Sequence, residues 1–200
     1  MTLADQPAIA LLEFSSIAFG VRAGDAMVKR APVAVVYAGT VHPGNYLVLV
    51  GGDVACVEEA YQAGLEAGTQ TLLDQLFLPA VHPEVVQALL GRRGASSGEA
   101  LGMVETRTVA ATIGAADCGL KGAEVTLVEI RLADHIGGKG YCAFSGPLAE
   151  VEAAVEVAVD RLPSPETLVA DVVISKFHEE MLANIEATSR FWTRLNQEEN

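Results

Sequence analysis

The sequence predicts an α+β fold built from two tandem copies of one β-α-β-β-α-β unit. Three observations carry that expectation. Short apolar strand-like runs alternate with helix-period segments in that order over residues 8–78. The second half then repeats the first, because Glu13/Glu105, Asp25/Asp117, Lys29/Lys121, Ala31/Ala123 and Val33/Val125 are each 92 residues apart with no gap between them. Each copy also places a glycine-bearing polar turn at the same point, residues 40–45 in the first and 136–139 in the second.

Residues 8–14, AIALLEF, form an apolar run suited to a buried strand. A helix follows from Ser15 or Ser16 as its cap, with Ile17, Val21, Ala26 and Val28 on a half-buried surface and Asp25/Lys29 paired one turn apart. Pro32 stops it. The β-branched stretch 33–37 predicts a second strand, the Pro43-Gly44 turn follows, and 46–50 predicts a third strand ended by Gly51-Gly52. Asp53 caps the helix VACVEEAYQAGLEAG, and residues 71–78 close the unit as a fourth strand. This is the split βαβ order of ferredoxin-like folds. Beyond the turn the offset between copies becomes 94, pairing Gly44 with Gly138 and Gly52 with Gly146, and near the end it is 96, pairing His82 with His178. The organisation expected is a first domain over 8–90, a Gly/Ser-rich linker over 91–99, a second domain over 100–183 and a helical extension over 184–200. Met181, Ile185 and Trp192 make one apolar stripe on a terminal helix that follows His178, fit to dock on its own subunit.

Composition narrows the function. A formal net charge of -13 from 13 basic and 26 acidic residues does not supply the clustered cations that phosphate backbones or anionic lipids require. No apolar run reaches the ~20 residues of a membrane span and the first ten residues lack a signal-peptide pattern, so a cytoplasmic location is expected. Cys56, Cys118 and Cys142 have no zinc-like spacing and read as small buried hydrophobes.

Pro43-Gly44 and Gly137-Gly138 allow both turns to bring main-chain amides close to a neighbour. The four histidines, His42, His82, His135 and His178, stand outside any hydrolase, zincin or nucleotide-binding motif, and no catalytic residue is assigned. His82 and His178 hold equivalent places, which favours a cap or interface role. Glu13 and Glu105 lie on apolar first strands, where neighbouring amides or a basic residue must satisfy them. Lys29 and Lys121, at helix C-terminal ends in both copies, interact with helix carbonyls or reach a neighbouring subunit.

The segments ALLEFSSIAFGVRAGDAMVKRAPV and ALGMVETRTVAATIGAADCGLKGAEVTLV each resemble the opening of a bacterial microcompartment shell domain. Two copies in register resemble the tandem-domain shell proteins, and the starting strand is similar to that of the unpermuted propanediol-utilisation type. That resemblance implies a homotrimer of two-domain chains, a pseudohexamer with Val41, His42, Pro43, Gly44, Asn45, Ile136, Gly137, Gly138 and Lys139 lining a central pore for small polar metabolites. It implies an assembly edge of Lys29, Lys121, His82, Lys176 and His178 that meets other shell proteins, a location in the microcompartment shell, and no enzymatic activity. The edge departs from the family's Arg-Pro-His ending, with Ala80-Val81-His82 in one copy and Lys176-Phe177-His178 in the other. Some relatives carry a cluster-binding cysteine where this chain has His42, so no iron–sulfur centre, metal or other cofactor is expected; three His42 rings give a polar rim, and Lys139 would add positive charge if it faced the channel. The competing expectation is a trimeric small-ligand or metal-binding regulatory module of the same topology.

Overall fold

The computed structural model describes residues 2–96 and 99–187. Its elements run β1 (Ala8–Phe14), α1 (Ile17–Arg30), β2 (Val35–Val41), β3 (Asn45–Gly52), α2 (Val54–Gly68), β4 (Leu72–Leu78) and α3 (Pro83–Leu89), then β5 (Ala100–Thr106), α4 (Val109–Gly122), β6 (Thr126–Leu132), β7 (Gly140–Gly146), α5 (Leu148–Asp160), β8 (Leu168–Ser175) and α6 (Glu179–Ala187). Two four-stranded sheets have the orders β2-β3-β1-β4 and β6-β7-β5-β8. Their registers match, since Leu11 pairs with Leu49 and Leu76 while its counterpart Met103 pairs with Ala143 and Val172. The predicted tandem α+β architecture is therefore present.

Helix starts follow the side chains able to satisfy free amides. Ser16 accepts from Phe19 N, Asp53 from Cys56 N and Thr108 from Ala111 N. Every residue of β1 is buried, because its two faces are both covered. Ala8, Ala10, Leu12 and Phe14 pack with Ala23 and Met27 of α1 and Val57 and Ala60 of α2. Ile9 and Leu11, on the opposite face, join a cluster containing Val85 and Val86 of α3 and Val109 and Ile113 of α4. A run buried on both faces reads as continuously apolar rather than alternating. The second cluster spans both domains, so apolar side chains of the two halves pack together.

Several expectations change. β2 begins at Val35 and continues to Val41, through the first residues assigned to the turn. Gly51 and Gly52 do not end β3; they carry it to its pairing with Ala8 and Ile9. An added Cβ on Gly51 would stand 2.9 Å from Val35 Cγ2, so these glycines let β2 and β3 close up. α3 follows β4 although no helix is expected there, with Pro83 in its first turn behind His82 as N-cap. The segment expected as linker is partly fixed against β6: Gly94 N donates to Val128 O at 3.1 Å, and Arg93 pairs with Glu129 and donates to Ile185 O. α6 crosses the expected boundary at residue 183, and Trp192, with the rest of the extension beyond residue 187, lies outside the described residues. Of the cysteines, Cys142 is buried, which pushes its thiol up to about 12, while Cys56 and Cys118 are half-buried. Among the described residues no helix is long and apolar enough to cross a membrane.

Candidate functional site: paired turns and the domain junction

Val41 and Asn45 form the last rung between β2 and β3, leaving His42, Pro43 and Gly44 as the turn itself. The His42–Pro43 peptide is cis, and Gly44 has φ +123, a region open to glycine alone at low cost. The second turn is longer. It is tied by Ala133 N to Lys139 O at 2.8 Å and takes positive φ at Ala133, His135, Gly137 and Gly138.

The two turns meet. His42 N donates to Asp134 Oδ1 at 3.1 Å, and His42 Nδ1 lies 3.3 Å from the same oxygen. The His42 and His135 rings stand 5.5 Å apart, tilted by 36°. A Cβ on Gly138 would come within 2.7 Å of Pro43 Cδ, so the close approach depends on that glycine. The His42 amide, above all, holds the Asp134 carboxyl below its ordinary range. Asp134 and His135 are absent from the residues the sequence assigns to the turns. Their signal is slight: Asp134 lies 92 residues from His42, at the first offset of the repeat.

Behind each turn stands the glutamate of the first strand. Glu13, 1% exposed, accepts from Asn45 Nδ2 at 3.3 Å and from Val109 N at 2.9 Å. Val109 N is a free amide of the first turn of α4, so a carboxylate of one domain meets the N-terminus of a helix of the other. Burial nevertheless raises the Glu13 carboxyl above its ordinary value. In the second copy Lys139, the counterpart of Asn45, is paired with Glu105. Lys139 therefore does not stand as a free cation on its turn; its ammonium is drawn onto its own sheet, where an Asn would have left the glutamate without a counter-charge.

The assigned edge residues divide in two. Lys121 pairs with Asp117 at 2.6 Å and also donates to Ala80 O across the domain junction. The other oxygen of buried Asp117 accepts from His82 N at 2.8 Å, while the His82 ring accepts from Glu84 N as the cap of α3. His82 is half-buried inside the chain, so it serves this junction. In the first copy Lys29 and Asp25 pair at 2.6 Å with side chains 72% and 56% exposed. Lys176, with φ +53, and His178 are also exposed, and the His178 ring accepts from Glu180 N at 3.3 Å.

The junction rests on α4 packing over the outer face of β1 and β4. Val109, Ile113 and Leu120 of α4 are buried there. The same helix face in the first copy is open: Ile17, Val21 and Val28 are 45%, 52% and 44% exposed. The matching sheet face of the second domain is open as well, with Val172 and Ile174 exposed beside a groove of about 390 Å³ lined by Met103, Glu105, Lys139 and Tyr141. Among the described residues no group of three or more His, Cys, Asp or Glu is arranged to hold a metal ion.

The BMC domain profile matches residues 8–81 and 100–177. The chain belongs to the BMC-domain family. It is 41% identical over 174 residues to the bacterial microcompartment shell protein PduT of Citrobacter freundii, covering 87% of this chain and 95% of that one. It is 28% identical over 206 residues to the carboxysome assembly protein CcmO of a Synechocystis species, covering 95% and 68%. Among solved structures, a microcompartment protein from Desulfitobacterium hafniense superposes with a TM-score of 0.74 at 40% identity, covering 87% of this chain and 97% of that one. A fused permuted hexameric shell protein of the RMM microcompartment superposes with a TM-score of 0.55 at 21% identity, over 76% and 82%, a likeness of fold alone. The paired turns and the junction thus belong to two BMC domains that face one another within a single chain.

Proposed function

We propose that this chain is a structural shell protein of a bacterial microcompartment, working by assembly and selective passage rather than by catalysis. Its place is the cytoplasm, within the shell. Three chains form a ring of six BMC domains around a central opening, and other shell proteins meet it at its edges. The observation that carries the reading is the in-chain junction, where one domain's α4 covers the next domain's sheet and leaves an unused helix face at one end of the chain and an unused sheet face at the other. Such head-to-tail surfaces are heterologous and close into a ring when the rotation between units divides the circle.

The paired turns of each chain line the opening and present His42, Asp134 and His135 to small polar metabolites. Because Lys139 is paired with Glu105, the polar groups left at the rim are Asp134 and the two imidazoles. Neither turn contains a cysteine, and we assign the rim no iron–sulfur centre.

The reading is tested by sedimentation of the purified chain and by electron microscopy of the chain alone and co-expressed with other shell proteins. The expected outcome is a particle of three chains that enters hexagonal sheets or shells, with incorporation reduced by Lys29→Ala. A monomer that enters neither, in both settings, would sink it.

A further inference from the structure

We infer that residues 188–200, which lie outside the described residues, return over their own chain and seat Phe191 and Trp192 in an apolar groove at the domain junction. The groove holds about 500 Å³ and is lined by Tyr37, Val41, Leu47 and Leu49 of the first sheet, Leu89 of α3 and Leu132 of β6. Tyr37 and Leu49 are directly opposed across β2 and β3 and so share one face. β2 is an edge strand, which leaves the groove open along it. Tyr37 and, past the end of α3, Leu90 are 52% and 43% exposed there, while Leu49 beneath belongs to the buried core. Apolar side chains left open side by side mark a surface that something covers.

The contacts of α6 point to the occupant. Ile185, in its last turn, packs with Leu101, Val128 and Ala143 of the second sheet, and Arg93 donates to its carbonyl. Arg93 also lines a second groove of about 350 Å³, in which Leu89 and Leu132 reappear, so the two grooves adjoin. The end of α6 is thus tied to the start of a path that leads into the apolar groove. Phe191 follows Ile185 by six residues, a reach of up to roughly 20 Å in extended chain and ample to cross the second groove. The opposite end of the chain is already placed, because Leu3 lines the same groove and is buried in it. Thirteen residues remain beyond residue 187, and Phe191, Trp192 and Leu195 among them bring large apolar side chains that suit such a groove.

The segment after α3 already makes such a crossing in the other direction. It leaves the first domain and fixes Gly94 N on Val128 O of β6, the edge strand of the second sheet. β2 is the counterpart edge strand of the first sheet, so a segment that leaves α6 for β2 completes a reciprocal exchange, each domain's trailing residues laid on the other's edge. The seated segment lies against the strand that runs into the His42 turn, with α3 on one side and β6 on the other. It fastens the two domains at a further place besides Glu13 with Val109 N and Lys121 with Ala80 O, and does so with apolar side chains. Residues 188–200 stand beyond the second BMC domain, which ends at residue 177, so this fastening adds to what the two domains do by themselves. Nothing in it depends on three chains closing a ring.

Trp192 is the chain's single tryptophan, so its fluorescence reports the contact directly in the full chain. Emission and acrylamide quenching are compared for wild type, Tyr37→Asp, Leu90→Asp and Leu73→Asp, with wild type in guanidinium as the exposed reference. All three substituted side chains are exposed, so the changes leave each fold intact, as circular dichroism melting checks. In wild type the emission should lie to the blue of the reference and quenching should be several-fold weaker, at every concentration of a dilution series. Tyr37→Asp and Leu90→Asp should each lower the ratio of seated to released segment at least about tenfold, by setting a carboxylate among apolar groups, and so move quenching toward the reference. Leu73→Asp, exposed but outside both grooves, should leave quenching unchanged. A wild-type tryptophan quenched as strongly as the reference overturns the contact. Protection that survives both groove changes overturns this groove as its place, and protection lost on dilution overturns the chain's own groove in favour of a second copy's.

Discussion

Glu13 is one of the residues through which the two domains meet, and its environment pulls in two directions. Burial raises its carboxyl above the ordinary value of 4.5, while the Val109 amide and Asn45 work against that rise without cancelling it. A group whose folded-state value is raised binds its proton in the native chain before it does in the unfolded one. Its contribution to stability is therefore complete below about pH 4.5 and is lost as pH rises through the raised value. Glu13→Gln removes that dependence. Denaturation midpoints of wild type and Glu13→Gln, followed from pH 7 down to pH 4, should show wild type gaining on the variant as pH falls; a constant difference would mean that Glu13 does not titrate differently in the two states. The glutamate itself was visible in the sequence, since a carboxylate in an apolar strand demands a partner. Its partner was not, because the Val109 amide is 96 residues away and no pattern of period two or 3.6 records a distance across the fold.

At the scale of elements, the two copies fill equivalent space with different side chains. Met27 of α1 lies over Gly64 of α2, whereas its counterpart Gly119 of α4 lies over Phe144 of β7, and Phe144 replaces Val50. Volume has moved from helix to strand while the helix spacing is kept. A Cβ on Gly119 would stand 2.5 Å from Phe144 Cζ, and Phe144 is fully buried with nowhere to retreat. Gly119→Ala should destabilise the chain by about 1–2 kcal/mol in urea denaturation, overpacking outweighing the ~1 kcal/mol by which Ala favours a helix. Stabilisation would show that the second core holds unused space. Elements with strong local signals were legible: α2 matches the expected 54–68 to the residue, with Asp53 as its cap. α3 was hidden because Pro83 looks like a breaker when it is an acceptable first-turn residue, and because its start rests on His82, an uncommon cap. The meeting of His42 with Asp134 was likewise hidden, since the second turn carries two extra residues that displace the simple alignment.

For the whole molecule, the decisive property is that one cluster contains residues of both halves, from Ile9 and Leu11 to Val104 and Phe144. Two tandem domains joined by a loose linker would unfold separately. With a shared core, the chain should unfold in one calorimetric transition whose measured and van't Hoff enthalpies agree. Leu11→Ala, at 2% exposure, should cost about 2–5 kcal/mol and shift that whole transition downward. Two resolved transitions, only one of which moves, would show that the halves are energetically separate. The same property explains why the segment read as a linker is partly fixed: Arg93 and Gly94 sit against β6 and leave little freedom for one domain to swing on the other.

Joining the two domains covalently has a consequence for the contact of His42 with Asp134. His42 and Asp134 stand 92 residues apart, at the same place in the two copies of the repeat. A single domain repeated unchanged would carry one and the same side chain at that place. Carrying both copies on one chain lets the place diverge into an amide and imidazole on one side and a carboxylate on the other, so that the two turns brace each other as donor and acceptor.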